Sequence, residues 1–355
     1  MKGILMTAIM EMPTSAVFTV PTSVELELTN KCQLTCVHCF NSSGPAVPHG
    51  TMALDDWRKV ITECAELGVK VVQLIGGEPT TFPGWRGLVD HAVNLELGVE
   101  VFSNLYHLTS EGWATLSQTG VRLATSYYSV NAGEHDRVTA APGSHSRTRA
   151  NILKALELGI PIRAGVVRCH DGQLEQLAVQ ELRALGVQNI TLDDARGVGR
   201  ASGGKVPTRA VLCGNCARGR LAILPDGGVA PCVIGRFLET SNVKNPGGLR
   251  AVLASPQWAE MAASIPERKP HGVCGPNDGG SCAPTGCAPM EYGPTVLEGC
   301  PPSDSNDCNP ANTPACAPKY DFAPDSELVA LGGCPPNDSG NCAPTDAPCN
   351  PKFGL

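Results

Sequence analysis

Cys32, Cys36 and Cys39 stand at the spacing C-x3-C-x2-C. Three thiolates this close on one stretch of chain can hold an iron–sulfur cluster. A [4Fe–4S] cube held by only three cysteines keeps one iron open to a substrate or cofactor. The alternative is zinc, which takes four ligands, commonly as two C-x2-C or C-x2-H pairs. His38 could be offered as a fourth ligand, but it lies between two of the cysteines and is poorly placed to share their metal. The spacing therefore favours iron and sulfide.

The cysteines need an element to present them. The run Val24-Glu25-Leu26-Glu27-Leu28 alternates apolar and polar residues, the period of a strand. That places the cysteines on the loop leaving its C-terminal end. A second apolar run closes on Leu74-Ile75-Gly76-Gly77-Glu78-Pro79. Two glycines beside a proline are by themselves only a turn. Beside a cofactor they would let the backbone approach closely, and Glu78 could accept from an ammonium group.

Strands are expected over 24–28, 69–75, 99–102, 121–130, 160–168 and 187–192, and helices over 55–67, 85–97, 146–158 and 173–185. Thr109 should cap one further helix, ending near Gly120, while Gly68, Gly98, Gly159 and Gly186 read as the other helix stops. Near-continuous apolar strands alternating with amphipathic helices predict an α/β fold with a parallel sheet covered by helices. Six such units suit a partial (β/α)6 TIM-like barrel. In such barrels the chemistry sits at the C-terminal ends of the strands. The cysteine loop, Gly76-Gly77-Glu78 and Ser103-Asn104 all fall there, and Ser129 lies near the end of the fourth strand.

Cys32-x3-Cys36-x2-Cys39 followed by Phe40 resembles the signature of the radical S-adenosylmethionine (radical SAM) enzymes, and Gly76-Gly77-Glu78-Pro79 resembles that family's second motif. The resemblance covers residues 21 to 200 most strongly. It implies a [4Fe–4S] cluster on Cys32, Cys36 and Cys39, whose open iron is chelated by the amino and carboxylate groups of S-adenosylmethionine (SAM). Reductive cleavage of SAM would give methionine and a 5′-deoxyadenosyl radical that abstracts a substrate hydrogen. Gly76, Gly77, Glu78 and Pro79 would bind SAM, and Ser103 with Asn104 would meet its ribose. Ser129 is either a further cofactor contact or a polar strand cap. Arg196 and Arg200 follow the sixth strand and read either as carboxylate holders or as solvated linker charges. His38 reads as a neighbour of the cluster, and His135-Asp136 as part of the loop after strand four.

The rhythm stops near Gly197. Residues 1–20 read as an N-terminal extension, 21–205 as the barrel and 206–355 as a mostly irregular, Cys/Pro-rich region. Pro225-Asp226-Gly227 should turn a strand pair over 221–233. Cys213-Gly214-Asn215-Cys216, with Gly227-x4-Cys232, resembles the opening of a SPASM domain, which carries auxiliary iron–sulfur clusters. The later run C-x2-C-x5-C-x3-C of that pattern is absent. A repeat C-x-P-x-D-x3-C-x-P replaces it, opening at Cys274, Cys300 and Cys334 and continuing through Cys282, Cys308 and Cys342, with third cysteines at Cys287, Cys316 and Cys349. The resemblance implies one or more auxiliary [4Fe–4S] clusters drawing on Cys213, Cys216, Cys232, Cys274, Cys282, Cys287, Cys300, Cys308 and Cys316. The last repeat is open between a cluster and a loose or zinc-binding extension. Cys64 and Cys169 read as apolar packing.

The chain has 355 residues and 17 cysteines. Without a convincing signal peptide, so many cysteines point to metal in a cytoplasmic protein rather than to disulfides. Residues 270–355 hold ten Asp/Glu against two Lys, a charge of −8 within a total of −7. No basic stripe suggests nucleic acid, no apolar run approaches membrane-spanning length, and no Ser/His/Asp triad or P-loop is present. The resemblance implies a peptide-modifying enzyme that cross-links, epimerises or oxidises a ribosomally made precursor, fed by a flavodoxin- or ferredoxin-type electron donor. A small-molecule oxidoreductase is the alternative, and a non-catalytic iron–sulfur or zinc protein a third. The short segment before the barrel leaves no room there for a separate leader-binding domain.

Overall fold

A computed structural model describes residues 19–267. Cys274, Cys282, Cys287, Cys300, Cys308, Cys316, Cys334, Cys342 and Cys349 lie outside the described residues, as does nearly all of the N-terminal extension. β1 (Ser23–Thr29), β2 (Val71–Gly76), β3 (Gly98–Phe102), β4 (Val121–Tyr127), β5 (Ile162–Arg168) and β6 (Asn189–Asp194) are the six expected strands. Each pairs in parallel with the next. The helices between them are α1 (Leu54–Leu67), α2 (Trp85–Asn94), α3 (Ser110–Leu116), α4 (Ala132–Thr139), α5 (Ser144–Glu157) and α6 (Glu175–Leu185).

The sheet continues beyond the sixth strand. β7 (Arg220–Ile223) pairs in parallel with the far edge of β1, and β8 (Gly228–Ala230) and β9 (Ser241–Asn242) follow antiparallel. The order is therefore β6-β5-β4-β3-β2-β1-β7-β8-β9. The turn at Pro225-Asp226-Gly227 forms as its residues dictate, with Gly227 at φ +94° and its N–H on Leu224 O. Helices α7 (Gly248–Leu253) and α8 (Pro256–Ala263) come after it. Ser255 starts α8 by accepting from Trp258 N at 3.2 Å, with Pro256 in the first turn.

Alternation along the strands sorts two interiors. Val24, Leu26, Leu28, Val72, Leu74, Val99, Val101 and Leu123 face the helices and pack on Trp57, Ile61, Leu88 and Leu116. The opposite face closes around a cavity lined by Glu25, Gln73, Glu100, Arg122 and Arg163. Both faces of β1 are covered, and Glu27 is completely buried. The alternation of β1 therefore separates an apolar core from a polar barrel interior, not a core from solvent.

Three local readings are corrected. Helix α2 ends at Asn94, the chain turns through Glu96 at φ +59°, and Gly98 sits in β3 opposite Val71. Strand β4 ends at Tyr127, because Asn131 accepts from Glu134 N at 2.9 Å and starts α4. His135 and Asp136 consequently lie on that helix, not on a loop. No helix among the described residues is long and apolar enough to cross a membrane.

Candidate cluster and cofactor site

The loop leaving β1 is tied down along its length. Cys32 N donates to Gly44 O at 3.2 Å and Val37 N to Val138 O at 2.9 Å. Backbone N–H groups also point at sulfur: Leu34 N lies 3.4 Å from Cys32 Sγ, and Ser43 N lies 3.4 Å from Cys39 Sγ. Asn104 Nδ2 adds a donor 3.5 Å from Cys32 Sγ. All three cysteines line one cavity of about 300 Å³. Burial, then the Glu78 charge, pushes the Cys32 thiol up to about 12. Burial, then the neighbouring Cys39, does the same to Cys36. Three sulfurs on one loop facing one cavity, two of them approached by backbone N–H groups, fit the donor set of an iron–sulfur cluster. Among the described residues no group of three or more His, Cys, Asp or Glu is arranged to hold a single metal ion.

Gly76 and Gly77 have a structural reason to be glycine. Gly76 sits at φ +136°, and a Cβ there would run into Thr29 O. A Cβ on Gly77 would run into Lys31 O. Gly77 N donates to Thr29 O at 2.6 Å and Glu78 N to Lys31 O at 2.9 Å. The glycines thus let the second motif lie directly against the root of the cysteine loop, and both line the cavity. Pro79 opens the short 3-10 turn that follows and is buried.

Glu78 is completely buried. Its Oε1 accepts from Thr80 N and Thr80 Oγ1, at 3.2 and 2.7 Å, and its Oε2 from Asn104 N at 2.8 Å. Burial pushes its carboxyl above the ordinary range, against the Thr80, Asn104 and Ser103 hydrogen bonds. Asn104 is the hub of this corner. Its Oδ1 accepts from Gln33 Nε2 at 3.2 Å and Tyr106 N at 2.8 Å. Ser103 Oγ accepts from Leu105 N at 3.1 Å, and Ser129 Oγ from Asn131 N at 2.9 Å. The Ser129 hydroxyl thus lies in the turn between β4 and α4.

Arg200 has a partner set that sequence reasoning missed. Its Nε donates to Cys36 O and its Nη1 to Ser43 O, each at 2.7 Å, and its backbone N donates to Cys39 O at 2.9 Å. It is not a solvated linker charge. Arg196 instead binds both oxygens of Asp193, at 2.8 and 3.1 Å, and Val211 O at 3.0 Å. His38 packs edge-on to Tyr128 with ring centroids 4.9 Å apart, and burial, then the Arg200 charge, lowers it to about 4. It is neutral at pH 7.

A second group of thiols faces the same cavity. Cys216 Sγ lies 2.9 Å from Cys232 Sγ, and Cys213 joins them by hydrogen bonding to Cys216. Those contacts, then burial, push the Cys216 thiol far up. Gly235 N points at Cys232 Sγ at 3.2 Å, and Val233 N donates to Glu25 Oε2 at 2.9 Å. No disulfide forms among the described residues. Cys64 is fully buried on α1 as apolar packing, while Cys169 is half-buried beyond β5.

Known proteins resemble part of the chain. Residues 26–173 match the radical SAM superfamily. The chain carries a radical SAM domain. Its curated relatives include the PqqA peptide cyclase of Bradyrhizobium diazoefficiens, 32% identical over 46% of this chain and 43% of the relative. The AdoMet-dependent heme synthase of Methanosarcina barkeri is 36% identical over 37% of this chain and 38% of the relative. The chain thus spans less than half the length of these two relatives. Streptococcus suis SuiB bound to S-adenosylmethionine superposes with a TM-score of 0.58 at 15% identity, covering 68% of each chain. SuiB bound to the precursor peptide SuiA gives 0.55 at 14% identity, over 68% of this chain and 67% of that one. The architecture of the radical SAM domain is that of a partial TIM-type barrel.

Inside the radical SAM domain the motif residues divide into two layers. Cys32, Cys36, Cys39, Gly76, Gly77 and Asn104 line the cavity. Behind them, Glu78, Ser103 and Ser129 are completely buried and hold the wall. Deeper in the barrel, Glu100 receives Arg163 at 2.7 Å, Arg122 at 2.9 Å and Gln73. Phe40, Ile75, Phe102, Val233 and Ile234 form an apolar patch in the cavity wall.

Proposed function

We propose that the protein is a radical SAM enzyme that matures a ribosomally made peptide by cross-linking, epimerisation or oxidation. The observation that carries this reading is the convergence of Cys32, Cys36 and Cys39 with Gly76-Gly77 on one cavity that Cys213, Cys216 and Cys232 also line. The first trio would hold a [4Fe–4S] cluster with one open iron. When bound, that cluster supplies the electron that cleaves SAM and yields a hydrogen-abstracting radical. The second trio would contribute to an auxiliary cluster. The chain's own part is to orient and to exclude water: the barrel wall of Asn104, Gly76 and Gly77 shapes the pocket, and the apolar patch around Phe102 keeps a reactive centre dry. A flavodoxin- or ferredoxin-type protein would supply electrons, in the cytoplasm, where thiols stay reduced.

A peptide substrate is supported by the relative named a PqqA peptide cyclase and by the SuiB complex with its precursor peptide. A small-molecule substrate is the second reading, favoured by the charged Glu100, Arg122 and Arg163 floor and by the relative named a heme synthase. Anaerobic incubation with SAM, reductant and a short peptide encoded beside the gene, read by mass spectrometry, separates the two. Loss of two hydrogens reports a cross-link or oxidation, and deuterium uptake from solvent without other mass change reports epimerisation. Unmodified peptide, together with SAM cleavage and turnover of a small metabolite, overturns the peptide reading.

A further inference from the structure

We propose that Arg200 is a positioning residue that clamps the cysteine loop, holding Cys36 and Cys39 in the geometry their cluster requires. The inference deepens the reading above and rests on it for the identity of the cluster. Arg200 lies 164 residues beyond Cys36, outside both motifs, yet its side chain reaches the carbonyls at each end of the loop's second half. Its own N–H takes the carbonyl between them, Cys39 O. Three consecutive anchor points on Cys36, Cys39 and Ser43 bracket the residues whose thiols face the cavity.

The approach is close by construction. Gly199 sits at φ +60°, and a Cβ there would collide with the carbonyl oxygens of Cys39 and Phe40. The backbone at 199–200 therefore lies directly on the loop, and only glycine leaves room for it. The fork of the guanidinium matters as well as its charge. Two N–H groups in a fixed plane hold two separate carbonyls, which the ammonium of lysine cannot reproduce. Arg200 Nη2 is buried without a protein partner, and Arg200 lines the cavity. The guanidinium stands beside Cys36, with Nε on the Cys36 carbonyl, so it also sets the charge next to one ligand of the cluster.

Arg200→Ala, Arg200→Lys and Gly199→Ala in the full chain test this. Hydrogen–deuterium exchange on the metal-free protein reads the clamp without any cluster. Exchange over residues 36–43 should rise at least tenfold in all three variants, with β2 and β3 unchanged. In anaerobically reconstituted protein, the midpoint potential of the SAM-binding cluster, followed by electron paramagnetic resonance, should fall in Arg200→Ala and recover in Arg200→Lys. Chelator-driven loss of that cluster should stay at least tenfold faster in both. Wild-type exchange, potential and cluster lifetime in Arg200→Ala would overturn the inference while SAM cleavage by the wild type upholds the functional reading. A wild-type protein that assembles no SAM-cleaving cluster would overturn the functional reading, and the exchange arm would still decide the clamp. Uniformly raised exchange across the whole barrel would reduce Arg200 to a general stability role and also overturn it.

Discussion

Arg236 Nη1 lies 2.9 Å from Glu27 Oε1, and the Glu27 carboxylate is entirely buried. The same oxygen accepts from Asn41 Nδ2 at 2.7 Å, and Asn41 Oδ1 lies 3.0 Å from Cys39 Sγ. A continuous polar chain thus runs from the loop after Cys232 through the first strand to the first cysteine group. Breaking a buried ion pair on one side leaves an uncompensated charge, at a cost of roughly 3–5 kcal/mol. Arg236→Ala should lower the denaturant midpoint of the metal-free chain, and Glu27→Gln with Arg236→Ala should cost less than the sum of the single changes. Additive effects in that double-mutant cycle would show that the two side chains are not coupled.

Replacing Cys32, Cys36 and Cys39 together with Ala should remove one [4Fe–4S] cluster and abolish SAM cleavage. The triple variant should keep iron, sulfide and visible absorbance if the auxiliary site assembles by itself. Iron and sulfide analysis with a SAM-cleavage assay checks both statements. Unchanged iron or retained cleavage would remove the loop from the site.

Glu78→Ala should leave the iron content intact and weaken SAM binding. The structural reason is the Asn104 corner: without the carboxylate, Asn104 N and the Thr80 donors lose their acceptor. Each buried donor left unsatisfied costs about 1–3 kcal/mol. Calorimetric titration with SAM and a thermal melt should both move. An unchanged SAM affinity alongside a lowered melting temperature would confine Glu78 to the wall.

Burial, then the neighbouring His145, lowers His135 from 6.5 to about 4. A base with a depressed folded-state pKa takes up its proton more readily when unfolded. Its stabilising contribution is therefore complete above pH 6.5 and is lost as pH falls toward 4. A shift of that size is worth up to about 3 kcal/mol at about 1.4 kcal/mol per unit. His135→Phe, which keeps an aromatic ring beside Tyr127 and Tyr128, should flatten the acid side of the stability profile of the metal-free chain. A variant with the wild-type slope between pH 4 and 6.5 would assign that slope to other groups.

Much of the site was legible because its chemistry is local in sequence. Cys32, Cys36 and Cys39 fall within eight residues, and Gly76 to Pro79 are contiguous, so spacing carried the thiol set, and the family resemblance of the second motif carried the glycines. The six strands were legible because parallel strands covered by helices need apolar residues in long runs. Ala132–Thr139 escaped notice because its helix is started by Asn131, with little apolar periodicity to announce it. What only the tertiary structure decided is long-range. Nothing in the run Val24 to Leu28 says that Glu25 and Glu27 face a barrel interior, since burial of the polar face comes from β7 pairing to β1 almost 200 residues later. Nor does Gly199-Arg200 carry a local signal, because its partners are backbone carbonyls at Cys36, Cys39 and Ser43, which have no residue-type signature. Side-chain chemistry is written in the sequence, but which carbonyl it meets is settled by how the sheet closes.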